Sequence, residues 1–261
     1  MAADPGRRPP LTAAKAADRP AGPAWYAEGG PSWWRDVRAV LHPPYTAWHL
    51  AYVVIGGVLV RRVDWAVLGA TVLAFFLAVG VAAHALDELH GRPLSTRLPR
   101  EVLVGATVVS LGGAVAIGCV GVATIGLGLL AFIGLGVFLV LGYNLELFGG
   151  RLHSDLVFAL AWGAFPVVVA AYAEDRRLRW PVLVVAAGAA LLSACQRVLS
   201  TPAREVRRKA VAVEGEIVLR DGSTRSIDAA LLVEPLERAL RLLSWAVTTL
   251  AVGLLLARAV R

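Results

Sequence analysis

The sequence AAHALDELHGRPLSTRLPR, residues 82–100, follows directly on a long apolar run and changes the character of the chain within a few residues. It holds two His, an Asp, a Glu and three Arg, in a protein made largely of Ala, Val, Leu and Gly. Charged residues at the end of an apolar helix are expensive to keep in a membrane unless they are solvated or paired. We therefore take this polar segment as the water-facing end of a transmembrane helix.

The composition predicts an integral membrane protein. Of the 261 residues, 57% are hydrophobic and only 17% are charged, and the mean hydropathy is +0.66. In a soluble domain, about a quarter of the residues are charged. The apolar residues form continuous runs of about 20, the length that a helix needs to cross a bilayer. Continuous rather than alternating runs exclude a transmembrane β-barrel.

The basic residues lie between the apolar runs. The net charge is +7 and the isoelectric point about 10.1. This placement indicates membrane topology and contact with membrane lipids, and we expect no nucleic-acid partner. The basic N-terminal region, the polar segment and the basic loop after the sixth apolar run are expected together on the cytoplasmic side of the cell membrane, with the C-terminus outside.

The runs predict an all-α polytopic fold with about seven transmembrane helices. We expect a disordered tail over residues 1–31, an interfacial amphipathic helix over 32–44, six transmembrane helices over 45–200, a cytoplasmic loop over 201–238 and a seventh transmembrane helix over 239–261. The apolar region 102–144 is too long for one crossing, and we divide it near residues 118–121. Asp221 and Gly222, flanked by alternating residues, predict a small β-hairpin in the cytoplasmic loop.

The polar segment is the first candidate site. His84, Asp87 and Glu88 are spaced i, i+3 and i+4, which places them on one face of a helix. Carboxylate oxygens suit Mg²⁺, which also binds substrate phosphates, and the nearby Arg92 can bind a diphosphate. The alternative is an Asp–Arg pair that clamps the loop.

Two further polar stretches are candidates. Residues 143–155 lie between the predicted fourth and fifth spans, on the side of the polar segment, and supply Tyr143, Asn144, Glu146, Arg151, His153 and Asp155. They form either a second wall of the same site or an ordinary interfacial connection. Residues 195–209 are basic, which suits a phosphate, an anionic lipid or topology alone. His49 stands alone among apolar residues and is predicted to be a hydrogen-bonded core residue.

These residues resemble the UbiA superfamily of intramembrane prenyltransferases over about residues 40–200. The sequence His42-Pro43 before a span with Gly56-Gly57 is similar to the start of that family's first helix. Arg92-Pro93-Leu94 after an acidic helix end looks like the family's Asp-rich motif followed by Arg-Pro-Leu. Ala83 stands where the family has an earlier Asp, and the region after the sixth span is basic where the family has a second acidic motif.

The resemblance implies a ring of helices around a cavity open to the bilayer. There, Mg²⁺ and basic residues hold a prenyl diphosphate, and an allylic cation alkylates a lipophilic acceptor. Carried onto this chain, the candidate catalytic residues are Asp87, Glu88 and His84. The candidate diphosphate-binding residues are Arg92, Arg151, Tyr143, Asn144 and His153, and the candidate metal ligands are Asp87, Glu88, Asp155 and Glu146. The alternative function is a non-catalytic membrane protein that binds a lipid or a partner.

Overall fold

The computed structural model describes residues 32–260, so the predicted tail 1–31 lies outside the described residues. Over the described range the chain forms eight helices and one β-hairpin. In order they are α1 (Ser32–Leu41), α2 (Pro43–Val58), α3 (Trp65–Leu89), α4 (Arg100–Ile125), α5 (Leu129–Asn144), α6 (Asp155–Asp175), α7 (Trp180–Lys209), β1 (Gly215–Val218), β2 (Thr224–Ile227) and α8 (Ala229–Ala259). The predicted helical fold and the predicted β-hairpin are confirmed.

Helix starts follow ordinary capping chemistry. The side chains of Asp64, Ser154 and Asp228 accept backbone N–H groups at the starts of α3, α6 and α8, which satisfies donors that a helix leaves without partners. Pro43 opens α2, where its fixed φ suits the first helical turn. His42, between α1 and α2, has a left-handed conformation with φ 44°, so the chain turns sharply there.

Five described helices are long and apolar enough to cross a membrane: α3, α4, α6, α7 and α8. Helices α2 and α5 have 16 residues each, which is shorter than the roughly 20 residues of a usual crossing. The prediction of seven spans is therefore confirmed only as a membrane-embedded helical bundle, and the number seven stays a prediction.

The predicted break at residues 118–121 is wrong in position. Helix α4 runs unbroken through this segment and ends at Ile125, and Gly126 turns the chain with φ 124°. Only glycine adopts that conformation readily. The earlier glycines serve packing instead, since a Cβ on Gly118 would lie 2.8 Å from Ile133 Cδ1. A glycine that ends a helix and a glycine that lets two helices approach cannot be told apart by composition alone.

The predicted loop 201–238 is shorter than expected, because two helices extend into it. Helix α7 continues to Lys209 with Pro202 inside it, and α8 begins at Ala229 with Pro235 inside it. Between them, β1 and β2 pair antiparallel, with Val218 opposite Thr224, and Gly222 has φ 82° in the turn. Both strands are largely exposed.

The core joins α2, α6, α7 and α8 around Trp48, Tyr52 and Val167. The helices approach closely: a Cβ on Gly163 of α6 would lie 2.6 Å from the carbonyl oxygen of Ala189 in α7. Helices α2 and α8 run in parallel, because Ser244 Oγ donates to the Pro44 carbonyl at one end and Arg258 Nε donates to the Val58 carbonyl at the other.

Two helices contain π-helical turns, over Phe76–Ala83 in α3 and Ala159–Ala164 in α6. Such turns leave the regular i→i−4 ladder and are frequent at functional sites. The first ends immediately before His84, and the second contains Trp162. Both residues line the cavity described next.

Candidate functional site: a histidine-rich basic cavity

A cavity of about 920 Å³ opens at the end of the bundle that carries the polar segment. Every described helix except α4 contributes to its wall. All five histidines of the chain line it: His42, His49, His84, His90 and His153. All the histidines of this 261-residue chain therefore lie in the wall of one cavity.

The structure brings together six of the residues that the sequence predicted as site residues. His84 and Asp87 reach the cavity from α3, and Tyr143, Asn144, Glu146 and His153 reach it from the end of α5 and the loop that follows. The ring of Tyr143 stacks on that of His153 at 4.4 Å between centroids. The two predicted walls thus face one space.

Glu88 and Arg92 are placed differently, outside the cavity lining. The Glu88 side chain is fully buried and accepts three hydrogen bonds, from Leu94 N at 2.9 Å, Thr96 N at 2.8 Å and Thr96 Oγ1 at 2.8 Å. Arg92 Nη1 donates to the carbonyl oxygens of Thr96 and Leu98, both at 2.9 Å. These contacts hold the loop through its backbone and Thr96, without the Asp–Arg pair that the sequence offered as an alternative, and they occupy two of the groups predicted to hold metal and diphosphate.

The remaining two predicted residues also lie outside the cavity lining. Arg151 is exposed. Asp155 accepts a hydrogen bond from Arg197 Nε at 2.8 Å, and the Arg197 side chain is only 14% exposed. Asp155 therefore orients Arg197, which itself lines the cavity.

The carboxylates predicted as Mg²⁺ ligands are not grouped. Glu88 is committed to the loop, Asp155 to Arg197, and Glu146 lies 3.9 Å from ring nitrogens of His90 and His153. Within residues 32–260 no cluster of three or more His, Cys, Asp or Glu side chains is placed to hold a metal ion. Of the predicted carboxylate ligands, Asp87 and Glu146 line the cavity, and Mg²⁺ is commonly held by one or two carboxylates together with substrate phosphates and water. Mg²⁺ binding stays a prediction for experiment.

Four of the histidines share one orientation. In each, Nδ1 meets a backbone carbonyl oxygen: His42 with Val40 at 2.9 Å, His49 with Trp162 at 3.0 Å, His84 with Gly80 at 3.2 Å and His153 with Tyr143 at 3.3 Å. A carbonyl oxygen only accepts hydrogen bonds, so Nδ1 is the donor and carries the proton. The ring is thereby held in place with Nε2 on the opposite side.

His42 and His84 stack at 4.5 Å between ring centroids. The pKa of His42 is lowered from 6.5 to about 3. Burial is the largest cause, and the neighbouring His84 is the second. His42 is thus a neutral ring at neutral pH. His49, which we predicted to be a hydrogen-bonded core residue, is 3% exposed and has its hydrogen bond to Trp162, yet it also lines the cavity.

One wall of the cavity is strongly basic. It is formed by the last four turns of α7, which contribute Arg197, Arg204, Arg207, Arg208 and Lys209. The wall begins beside Gln196, which is 5% exposed, and ends at Lys209, whose side chain is 76% exposed. The Arg204 side chain interacts electrostatically with Asp87 and Tyr143 across the cavity. The basic stretch is therefore part of the site.

The sequence indicated the basic stretch 195–209 as a candidate but assigned no site residue within it, and His42, His49, Phe158 and Trp162 were not among the predicted site residues. One signal was available: Arg197, Arg204 and Arg208 are spaced i, i+7 and i+11, which places them on one helix face. No signal marked Gln196 or Trp162, because a polar or aromatic residue within an apolar helix has the same appearance whether it packs or binds.

An apolar groove of about 740 Å³ adjoins the polar cavity. It runs between α3, α4, α5 and α6 and is lined mainly by Ala, Val, Leu, Ile and Phe, with Asp64, Thr71 and Thr124 as its few polar members. Trp162 lines both spaces. The polar cavity and the apolar groove thus share Trp162 as a lining residue.

No protein-family model, curated protein or solved structure matches this chain.

Proposed function

We propose that this membrane protein binds an amphiphile that carries a phosphate or diphosphate. The anionic headgroup lies in the basic cavity on the cytoplasmic side, and the hydrocarbon chain lies in the adjoining groove. The observation that supports this most directly is that the basic cavity and the apolar groove are neighbours that share Trp162 in their walls. The UbiA-like features of the sequence suggest an isoprenoid diphosphate as the ligand class. Binding of such a lipid does not require catalysis.

Charge favours an anion in the cavity. Among the described lining residues, seven are Arg or Lys and four are Asp or Glu. One of the four, Glu237, is paired with Arg207, and another, Asp36, accepts the backbone N–H of Arg97 at 3.0 Å. The excess of basic over acidic side chains makes the cavity electrostatically positive. A positive site attracts phosphate most strongly where water is partly excluded.

Arg204 and Arg208 are the principal candidates for phosphate contact. Within residues 32–260 neither side chain is paired with a carboxylate. Arg204 makes only long hydrogen bonds to its own helix, at 3.3 Å to Ser200 O and 3.5 Å to Thr201 Oγ1. A guanidinium fork matches phosphate oxygens with two parallel hydrogen bonds, and these are about twice as strong as neutral ones.

The groove suits a hydrocarbon chain, since its wall offers few hydrogen-bonding groups. Gly136 lies beside Phe165 there, so the wall combines small and aromatic residues. A ligand that has only the headgroup, or only the hydrocarbon chain, would lose the binding free energy of the missing part. The proposal therefore predicts that both headgroup and chain are needed for tight binding.

The test uses the full chain, purified in a non-ionic detergent, with three probes: geranylgeranyl diphosphate, geranylgeraniol and inorganic diphosphate. Isothermal titration calorimetry should show the complete amphiphile binding at least about tenfold more tightly than either half, a difference of about 1.4 kcal/mol. Arg204→Gln should weaken binding about tenfold or more, because a hydrogen bond to a charged group contributes about 1.5–3 kcal/mol.

The matched control is Arg225→Gln, which changes the net charge equally on the exposed hairpin strand β2, outside the cavity. Its affinity should equal that of the wild type. Equal affinities for geranylgeraniol and geranylgeranyl diphosphate would contradict the proposal, as would an Arg204→Gln variant that binds as well as the wild type.

Prenyl transfer is the second candidate function, favoured by His84 and Asp87 at the cavity wall. The allylic carbon–oxygen bond would break with its electron pair leaving on the diphosphate. The acceptor would form a bond to that carbon and lose a proton to His84 Nε2 or to Asp87. Arg197 and Arg204 would stabilise the departing charge.

Diphosphate release in the presence of a hydroxylated aromatic acceptor separates transfer from simple binding. Repeating the titration with and without Mg²⁺, in the wild type and in Asp87→Ala, tests the predicted metal. If no prenyl diphosphate is turned over under any of these conditions, the transferase candidate is excluded and the binding function remains.

A further inference from the structure

The apolar groove runs along the bundle, away from the polar cavity. On α3 its wall extends from Val79, which precedes His84 of the cavity, back to Asp64 at the start of the helix. On α6 the wall extends from Trp162, which also lines the cavity, to Ala173 near the end of that helix. The groove therefore begins beside the cavity and ends at the opposite side of the bundle.

The helices that line the groove give its length. On the unbroken helix α4 the wall extends from Leu111 to Ile125, which corresponds to about 21 Å at a rise of about 1.5 Å per residue. On α3, Val79 and Asp64 are separated by about 22 Å on the same basis. An extended hydrocarbon chain advances about 1.3 Å per carbon, because its C–C bonds of about 1.5 Å form a zigzag. The groove thus matches a chain of about 16 main-chain carbons.

The far end of the groove is bounded by polar contacts between helices. Asp64 N donates to Glu174 Oε2 at 2.8 Å, which joins the start of α3 to the end of α6. Arg176 Nη2 donates to the carbonyl oxygen of Thr124 at 2.7 Å, which joins the residue after α6 to α4. Asp64 and Thr124 both line the groove. A hydrocarbon chain that passed between these groups would separate them without replacing their hydrogen bonds, which costs free energy. The chain should therefore end before this contact.

Between its two ends, the groove is suited to hydrocarbon. The hydroxyl of Thr71 in its wall donates to the carbonyl oxygen of Val67 at 2.8 Å, within its own helix. Phe165 of α6 contacts Phe75 of α3 and Phe132 of α5, with ring centroids 6.1 Å and 6.3 Å apart, and all three rings line the groove. The wall therefore favours apolar contacts along its length.

We infer that the groove sets the chain length of the ligand at about 16 main-chain carbons, which is the length of four isoprene units. A shorter chain leaves the far part of the groove unfilled, and a longer chain has to leave it. This inference rests on the proposed function, because it needs the headgroup in the basic cavity. It adds a length requirement, which binding of an amphiphile does not by itself imply.

The position of the chain end can be read by photo-crosslinking. Two analogues are used with the full wild-type chain in non-ionic detergent: geranyl diphosphate and geranylgeranyl diphosphate, each with a photoreactive diazirine at the terminal carbon. Mass spectrometry of the digested protein should find the shorter chain attached at residues 165–169 of α6. The longer chain should be attached at residue 173 or at residues 121–125 of α4. Attachment of both chains at the same residues, or outside the groove, would overturn the inference.

A variant that fills the groove partway tests the length from the protein side. Ala70 lines the groove with an exposed side chain, about 14 Å from Val79 along α3. Ala70→Phe should weaken binding of geranylgeranyl diphosphate about tenfold or more and leave that of geranyl diphosphate within about twofold. The matched control is Ala187→Phe, the same change at an exposed position of α7 outside the cavity and the groove, and it should leave both affinities unchanged. Equal weakening of the two ligands by Ala70→Phe would contradict the inference.

Hexadecyl diphosphate has the same chain length without methyl branches and distinguishes the source of the chain. Tighter binding of geranylgeranyl diphosphate would support an isoprenoid, and equal or tighter binding of hexadecyl diphosphate would support an unbranched alkyl chain of the same length. The crosslinking needs no variant, so a misfolded Ala70→Phe protein would not leave the inference untested. If geranylgeranyl diphosphate bound in an Arg204-dependent manner but its chain end did not reach the far end of the groove, the length inference alone would be overturned. If none of these diphosphates bound, the proposed function itself would be overturned.

Discussion

Replacing Glu88 by Gln separates a structural role from a metal-binding role. The Glu88 carboxylate is fully buried: one oxygen accepts from Thr96 N and Oγ1, and the other accepts from Leu94 N. A Gln side chain has the same shape as Glu but only one oxygen. At least one of the three groups that donate to Glu88 would therefore face the NH₂ group of Gln. The loss of one hydrogen bond to a charged group should lower the free energy of unfolding by about 1.5–3 kcal/mol.

Thermal unfolding followed by tryptophan fluorescence measures this loss. At about 2–4 °C per kcal/mol for a chain of this size, Tm should fall by about 3–12 °C. Glu88→Leu removes all three hydrogen bonds and leaves buried donors, so its cost should be larger, about 3–5 kcal/mol, as for a buried charge network that loses one partner.

Asp87→Asn is the matched control, because it makes the same chemical change one residue earlier, on a side chain that faces the cavity. Its Tm should stay within about 2 °C of the wild type, corresponding to about 0.5 kcal/mol, and its effect should be on ligand binding. The reasoning would be refuted if Glu88→Gln left Tm unchanged and abolished Mg²⁺-dependent ligand binding, since Glu88 would then act as the metal ligand that the sequence suggested.

Three further predictions concern packing, pH and the connection between α7 and α8. Gly163→Ala should destabilise the fold by about 1–3 kcal/mol, because its Cβ would lie 2.6 Å from a backbone oxygen of α7; Gly134→Ala, with nothing within 4 Å, should not. Burial lowers the pKa of His42 to about 3, so below about pH 6.5 the unfolded chain binds the proton more readily. Tm should therefore fall as pH decreases from 6.5 toward 3, and less so in His42→Gln. Arg207→Gln removes the ion pair with Glu237, whose side chains are 18% and 17% exposed. Limited proteolysis should then cut the hairpin region faster, and an unchanged cleavage rate would contradict this.

The sequence by itself determined the class of the protein. Long apolar runs cannot be solvated, and only a membrane-embedded helical bundle satisfies their backbone groups. Local chemistry also sufficed for the hairpin, because Gly222, with φ 82°, lies in the short turn between the paired strands. The polar segment 82–100 was recognisable for a similar reason, since charged residues rarely follow an apolar run by chance.

Tertiary structure alone decided what the polar residues do. Adjacent Asp87 and Glu88 have the same local signature, but one faces a cavity and the other holds a loop. Which occurs depends on the rotation of α3 against its neighbours and on a loop that returns to it. The same holds for Gln196 and His49, residues from helices far apart in sequence that meet at one cavity. A binding site made of long-range contacts depends on how helices pack, and the pattern along any single helix does not contain that information.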